Sequence, residues 1–146
     1  MMRRNTRFPV AVHILALTAM LQKKGIPVTS ELLARSVGTN PVVVRQMMTR
    51  LKRAGLIETR NGLPGCRIVK PEGEISLLDI YQAVQKETDI ALFAVHPGPN
   101  PDCYVGANIA GALSGPLMKA QEAMEQSLAS CTLEEITGYI REKTQD

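Results

Sequence analysis

The sequence predicts a mainly α-helical protein with one short β-hairpin. Three observations lead to this fold class: apolar residues recur every three or four positions along most of the chain, capping residues precede several of these runs, and a turn rich in glycine and proline separates two short alternating segments. Hydrophobic residues fill 45% of the 146 positions, which is enough for a core. We expect one domain with an appended helical segment.

The first helix is predicted over residues 7–22. Val10, Ile14, Leu17 and Leu21 recur there at helical spacing, and glycine and proline follow shortly afterwards. Arginines followed by an apolar run also resemble a secretory signal. No small-residue cleavage site follows the run, so we interpret it as a buried helix.

Two further helices are predicted to form a helix-turn-helix. A short helix over residues 30–37 ends at Gly38, because glycine adopts the left-handed conformation that often closes a helix. Asn40 and Pro41 then begin a third helix: asparagine can accept a free backbone N–H, and proline at the first helical position loses no hydrogen bond. Two helices joined by a short turn containing glycine are the signature of this motif.

The third helix is predicted to have an apolar face and a polar face. Val44, Met47, Met48 and Leu51 share one stripe, which we expect to pack on the first two helices. The opposite face carries arginine, glutamine, threonine and valine, which are residue types that contact base edges in a DNA major groove. The DNA-contacting residues predicted here are Asn40, Pro41, Val42, Arg45, Gln46, Thr49, Arg50 and Arg53.

A β-hairpin wing is predicted after the third helix, because two alternating segments flank the turn residues at 61–65. We expect Arg60, Asn61 and Gly62 near its tip to contact phosphates or the minor groove. Residues 1–72 are therefore predicted to form a winged helix-turn-helix DNA-binding domain.

Charge divides the chain close to this boundary. Residues 1–70 carry 13 Lys and Arg against 2 acidic residues, whereas residues 71–146 carry 4 against 12, so the halves have charges of +11 and −8. A basic half indicates a polyanionic partner. Double-stranded DNA fits better than a membrane, because the basic residues are spread over helix, turn and strand segments instead of lining one amphipathic helix.

Residues 73–146 are predicted to form a helical linker, a sensor loop and dimerisation helices. A capping box at Ser76 begins a helix over residues 77–86. A proline-rich loop at 96–101 precedes a long helix over residues 105–130, and a second capping box begins a final helix.

The long helix is predicted to join two copies of the chain. It contains an apolar seam at spacings of three and four, and its glycines and alanines permit close approach of another helix, so we expect a two-fold homodimer. Pro116 removes one helical hydrogen bond, so the helix is expected to kink there or to begin near Leu117. The predicted interface residues are Ile109, Leu113, Leu117, Ala120, Met124 and Leu128.

Six segments together carry a resemblance to a known family: residues 8–13, 40–45, 51–56, 60–65, 74–84 and 99–106. In these segments the chain resembles the Rrf2 family of bacterial winged-helix transcription regulators, the relatives of IscR, NsrR and CymR, and most closely its YwnA-like branch. The resemblance implies a homodimer joined through the long helix, with a recognition helix and a wing on each half of a near-palindromic operator. It implies a sequence-specific regulator and not an enzyme; a repressor is the favoured expectation, and an activator is the alternative.

The cysteines bear on what such a regulator senses. Cluster-binding members of the family hold an iron–sulfur cluster with three closely spaced cysteines before the long helix. Here that loop contains Cys103 alone, while Cys66 lies in the wing and Cys131 follows the long helix, so we expect no cluster and no other cofactor or metal. Cys103 is a candidate redox sensor because it lies near the positive end of a helix, and its alternative role is simple packing. The second cysteine that pairs with this position in some relatives is absent from residues 36–39.

Two alternatives stay open: a winged-helix module that binds protein instead of DNA, and a regulator that responds to a small-molecule effector instead of an oxidant. No catalytic motif is found in the sequence. Three widely spaced cysteines and the lack of a run long enough to span a bilayer predict a cytoplasmic protein without a membrane partner.

Overall fold

The computed structural model describes residues 6–86 and 91–144 and confirms the predicted fold class. Within these residues the chain forms six α-helices and one two-stranded hairpin, with a single 3-10 turn at Glu72–Glu74 that the sequence analysis did not predict. The elements are α1 (Arg7–Lys23), α2 (Ser30–Val37), α3 (Pro41–Arg53), β1 (Ile57–Thr59), β2 (Cys66–Ile68), α4 (Leu77–Ala83), α5 (Tyr104–Ala129) and α6 (Leu133–Thr144).

The core lies where α1, α2, α3 and the hairpin meet. Ile14 and Leu15 of α1, Leu33 of α2 and Leu51 of α3 are fully buried there. The apolar stripe predicted for α3 is confirmed, since all four of its members are buried or half-buried against this core. Burial of this stripe fixes the opposite face of α3 toward solvent.

Capping hydrogen bonds fix the ends of the helix-turn-helix. The Thr29 side chain accepts the Leu32 backbone N–H at 3.2 Å, and the Asn40 side chain accepts that of Val43 at 3.0 Å. Gly38 between the two helices has φ +81°, the left-handed conformation predicted for it. The predicted starts of α2 and α3 are therefore confirmed at the level of individual hydrogen bonds.

The wing is an antiparallel hairpin that is joined to the rest of the domain by a third segment. Ile57 pairs with Ile68 and Thr59 with Cys66. The Cys66 backbone N–H donates to the carbonyl oxygen of Val28 at 2.9 Å, which adds a bridge from the segment between α1 and α2. This bridge anchors the base of the wing to the core.

One helix boundary differs from the prediction by more than one residue, and one predicted alternative is excluded. Helix α4 ends at Ala83, three residues before its predicted end. Helix α5 begins at Tyr104 and continues through Pro116, so the alternative start near Leu117 is wrong. Proline is tolerated because Ala112, whose carbonyl loses its partner, lies on an exposed part of the helix where water can replace the missing hydrogen bond. A kink at Pro116 stays a prediction.

Helix α6 returns to the first half of the chain and packs on α1. The Leu133 backbone N–H donates to the Ile75 carbonyl at 2.8 Å, and Leu133 is fully buried. The Glu72 carboxylate accepts from Lys23 at 2.8 Å and from the Thr137 hydroxyl at 2.5 Å, and forms an ion pair with Arg141 at 3.4 Å. These contacts tie α6 to α1 through the turn that follows the wing.

Candidate nucleic-acid interface

The outer face of α3 presents the residues that the sequence analysis selected for base contact. Arg45, Gln46 and Arg53 are exposed, and Val42 retains 55% of its accessible surface. Thr49 is also exposed, and its hydroxyl donates to the Arg45 carbonyl at 3.0 Å. That bond leaves the threonine methyl group and the arginine side chain as the outward groups at this level of the helix.

At the start of α3, the two predicted contact residues also serve the helix itself. Asn40 is exposed, but its side-chain oxygen accepts the Val43 N–H, so its amide N–H groups remain for an external acceptor. Pro41 is half-buried at the first helical position. The positive end of the helix dipole adds to the attraction for a phosphate at this terminus.

Arg50 lies on a different side of α3 from Arg45. It is half-buried, and its guanidinium donates to the Gln85 carbonyl at 3.1 Å, which links α3 to the segment after α4. Arg50 lines a cleft of about 470 Å3 that also contains Arg53, Arg7 and Lys86. Arg7 and Lys86 have no sequence signal that marks them for this cleft, because only the fold brings the start of α1 and the segment after α4 beside α3.

The wing exposes its predicted contact residues. Arg60, Asn61 and Gly62 are all exposed. Glu58 lies 3.3 Å from Arg60 and 3.6 Å from Arg67, in surface pairs whose arginines retain about half of their accessible area. Exposed ion pairs contribute little to stability, about 0–1 kcal/mol, so a phosphate can compete for either arginine.

The wing and α3 are joined directly. The Lys52 ammonium donates to the Thr59 hydroxyl at 2.8 Å, from the last turn of α3 to the end of β1. This contact links the two predicted DNA-contacting elements through side chains that lie seven positions apart in the sequence.

The three cysteines occupy very different environments. Cys103 is exposed at the start of α5, where the nearby backbone N–H groups of Gly106 and Val105 lower the pKa of its thiol. Cys66 is buried in β2, and this burial raises the pKa of its thiol despite a 3.9 Å contact with the Thr18 hydroxyl. Cys131 is half-buried beyond the other end of α5, a helix of 26 residues that is about 39 Å long.

This arrangement does not fit an iron–sulfur cluster. The three thiols lie in separate parts of the molecule, and among the described residues no group of three or more His, Cys, Asp or Glu side chains could hold a metal ion. Cluster ligation within one chain needs several thiolates around a single centre.

The predicted dimer seam is accessible in the single chain. Ala120 is exposed, and the other five predicted interface residues of α5, Ile109, Leu113, Leu117, Met124 and Leu128, are half-buried. No residue of this helix is buried, although the helix contains 26 residues. No helix in the described part of the chain is long and apolar enough to cross a bilayer.

The fold and the exposed basic face of α3 define a winged helix-turn-helix regulator of transcription. Comparison with known proteins identifies the family: residues 4–138 match the Rrf2 family, described as iron-dependent transcriptional regulators, and the chain belongs to it. The chain is 46% identical to YwnA of Bacillus subtilis, a candidate HTH-type transcriptional regulator. The aligned 136 residues cover 93% of this chain and 98% of YwnA.

Solved structures agree with this assignment. A crystal structure of a candidate DNA-binding protein shares 42% identity and a TM-score of 0.72, over 89% of this chain and 97% of that one. CymR of B. subtilis, described as the global cysteine regulator, has the same fold at 21% identity and a TM-score of 0.66, over 95% of this chain and 98% of CymR. The chain is therefore a DNA-binding transcription regulator of the Rrf2 family, a class of regulators and not of enzymes.

Proposed function

We propose that the protein represses transcription as a homodimer that binds a near-palindromic operator in the cytoplasm. The observation that carries this proposal is the outward face of α3, where Val42, Arg45 and Gln46 stand exposed on a helix whose other face is buried in the core. A helix held in this way can enter a major groove with its side chains toward base edges. Two such helices related by a two-fold axis match two inverted half-sites.

The wing supplies the second element of the proposed DNA contact. Arg60 and its exposed neighbours lie on a hairpin that Lys52 ties to the end of α3. Contacts of Arg60 to phosphates add affinity that does not depend on base sequence. Specific recognition then comes from α3, and the wing fixes its position on the duplex.

The experiment begins with selection of bound genomic fragments by the purified protein, which yields the operator. Arg45→Ala is then expected to relax base preference at one position in each half-site, at a cost of about 1–3 kcal/mol. Arg60→Ala is expected to weaken binding to all sequences alike. Uniform losses from both variants would contradict the assigned roles of α3 and the wing.

Salt dependence separates this function from that of a protein-binding winged helix. Each phosphate neutralised by Lys or Arg should lower the logarithm of the binding constant by about 0.9 for each tenfold increase in salt. An affinity for the selected duplex that does not change with salt would favour a protein partner.

A thiol response is a second candidate, favoured by Cys103. Its exposure and lowered thiol pKa are the properties of an oxidant-sensitive cysteine. Treatment with hydrogen peroxide is then expected to change operator affinity in the wild type and not in Cys103→Ser, with Cys131→Ser as the matched control. If Cys103→Ser responds like the wild type, the effector is not sensed by this thiol, and a small-molecule effector becomes the alternative.

A further inference from the structure

The cleft beside α3 gathers basic side chains from three parts of the chain. It encloses about 470 Å3, and its basic lining residues are Arg7, Arg50, Arg53 and Lys86. Helices α1, α3 and α4 all pack on one another, so the walls of this Arg50 cleft are held in place by the core of the fold.

The cations of the Arg50 cleft lack the counter-charges that basic residues have elsewhere in the structure. Glu58 and Glu72 each pair with two basic residues. In contrast, no carboxylate of the described residues pairs with Arg50, Arg53 or Lys86, and none lines the cleft. Like charges gathered in a partly enclosed site repel one another and attract an anion. The cleft therefore has the electrostatics of an anion site.

Arg50 is oriented by the protein before any ligand arrives. It is half-buried, and its guanidinium donates to the Gln85 carbonyl at 3.1 Å. A guanidinium has five N–H donors in a planar fork, so this bond fixes the side chain and leaves other donors for a ligand. Lys86, which is exposed on the next residue of the chain, adds a compact charge that can rotate toward the same ligand.

A phosphoryl group matches this set of donors better than a carboxylate does. One arginine fork can satisfy the two oxygens of a carboxylate, whereas the oxygens of a phosphoryl group accept hydrogen bonds from several directions. The cleft offers donors from α1, α3 and the segment after α4. Val43 and Met47 add apolar lining for the organic part of a phosphate ester, and the volume lies within the range of about 300–1,000 Å3 that is usual for ligand sites.

The position of the cleft relates it to DNA. Its lining includes Gln46, Thr49 and Arg53, which also belong to the outer face of α3. A duplex that receives α3 in its major groove carries backbone phosphates along the edge of that groove, beside the opening of the cleft. A free ligand in the same place would compete with the duplex for Arg53.

We propose that the Arg50 cleft binds one phosphoryl group, supplied either by a backbone phosphate of the operator or by a free phosphorylated ligand. With a backbone phosphate, the inference rests on the proposed function and adds a third contact to those of α3 and the wing. With a free ligand, it names the chemical class of an effector that releases DNA.

Neutral methylphosphonates, placed one at a time in the selected operator, test the backbone source. We expect one position in each half-site to weaken binding by the wild type about 10-fold, because charge-assisted hydrogen bonds are lost. The same position should weaken Lys86→Ala only about 3-fold, because the cleft has already lost one donor. Lys24→Ala is the matched control: it removes the same charge from an exposed position about 25 Å from Arg7 along α1, and it should keep the wild-type profile.

Inorganic phosphate tests the free source. Phosphorus NMR of the DNA-free protein should then show phosphate lines that broaden with the wild type and with Lys24→Ala, and much less with Lys86→Ala. Phosphate should also lower operator affinity at least about 5-fold more than chloride does at the same ionic strength, because the ligand and the duplex exclude one another. Fluorescence anisotropy of labelled operator measures this difference.

The outcomes separate the cleft from the proposed function. Either positive result supports the inference and identifies the source of the phosphoryl group. If Lys86→Ala matches Lys24→Ala in both experiments, the inference is wrong, and relaxed base preference in Arg45→Ala would still support the proposed function. A protein that binds phosphate through Lys86 but selects no DNA would retain the cleft and overturn the proposed function.

Discussion

Gly65 is a residue whose identity is imposed by a neighbouring backbone. Its φ is +85°, and a Cβ at this position would lie 2.7 Å from both the backbone nitrogen and the carbonyl oxygen of Val28. The substitution Gly65→Ala therefore combines left-handed strain with a steric clash, and we expect it to lower the free energy of unfolding by about 3 kcal/mol. Denaturant unfolding at fixed protein concentration measures this loss.

Gly62 in the same hairpin provides the control. Its φ is +80°, but a Cβ there meets no atom within 4 Å. Gly62→Ala should carry the conformational strain alone, about 1 kcal/mol. Equal losses from the two substitutions would mean that the approach of Val28 does not constrain the wing.

The cysteines are expected to react in an order set by their surroundings. The backbone N–H groups beside Cys103 lower its thiol pKa, so its reactive thiolate persists to lower pH, whereas burial raises the pKa of Cys66. We expect iodoacetamide to alkylate Cys103 first and Cys66 last in the folded protein. Mass spectrometry of digests across a pH series measures both the order of alkylation and the pH midpoint for Cys103. A midpoint at or above the ordinary value of 9.0 would contradict the lowered pKa of this thiol.

Among the elements, α6 is attached to the 3-10 turn by side-chain bonds from Thr137 and Arg141 that converge on the Glu72 carboxylate. Burial alone would raise the pKa of Glu72, but hydrogen bonds from Lys23 and Thr137, with the charges of Lys23 and Arg141, lower it overall. A lowered pKa means that the ionised group stabilises the fold at neutral pH. This stability is lost as the pH falls below the ordinary carboxyl pKa of 4.5 and through the lower folded value.

Glu72→Gln tests this attachment. We expect it to reduce the free energy of unfolding by about 1–2 kcal/mol at pH 7, because the charge-assisted bonds are lost. The difference from the wild type should shrink below pH 4.5, where the wild-type carboxylate also becomes protonated. Thermal unfolding from pH 3 to 8 measures it, with the exposed Glu74→Gln as control. A difference that does not vary with pH would show that the carboxylate charge is not the cause.

The helices show which structural features a sequence makes visible. The starts of α2, α3 and α4 could be predicted because each is fixed by a capping residue within three positions, as at Asn40 and Ser76. The attachment of Glu72 to Thr137 and the contact of Cys66 with Val28 join distant positions and leave no periodic signal. The same reason explains why Arg7 and Lys86 were missed beside Arg50.

At the scale of the molecule, the structure assigns the two charged halves to different parts of the fold. Most of the basic residues of the first half lie between Arg7 and Ile68, the stretch from α1 to β2 that holds the exposed face of α3 and the wing. The acidic second half contains α5 and α6. The acidic part would be repelled by DNA, and this repulsion favours docking with the α3 side toward the duplex.

A two-fold dimer places a geometric demand on its operator. In the proposed homodimer, the two α3 helices are expected to occupy major grooves on one face of the duplex, about 34 Å or one helical turn apart, or a multiple of this distance. Inserting five base pairs between the selected half-sites rotates one half-site by about half a turn, so only one α3 can be seated at a time. We expect affinity to fall to that of an isolated half-site. Titration by fluorescence anisotropy measures it, with the same five base pairs inserted outside the operator as control. Unchanged affinity for the interrupted operator would mean that the two α3 helices do not bind as a rigid pair.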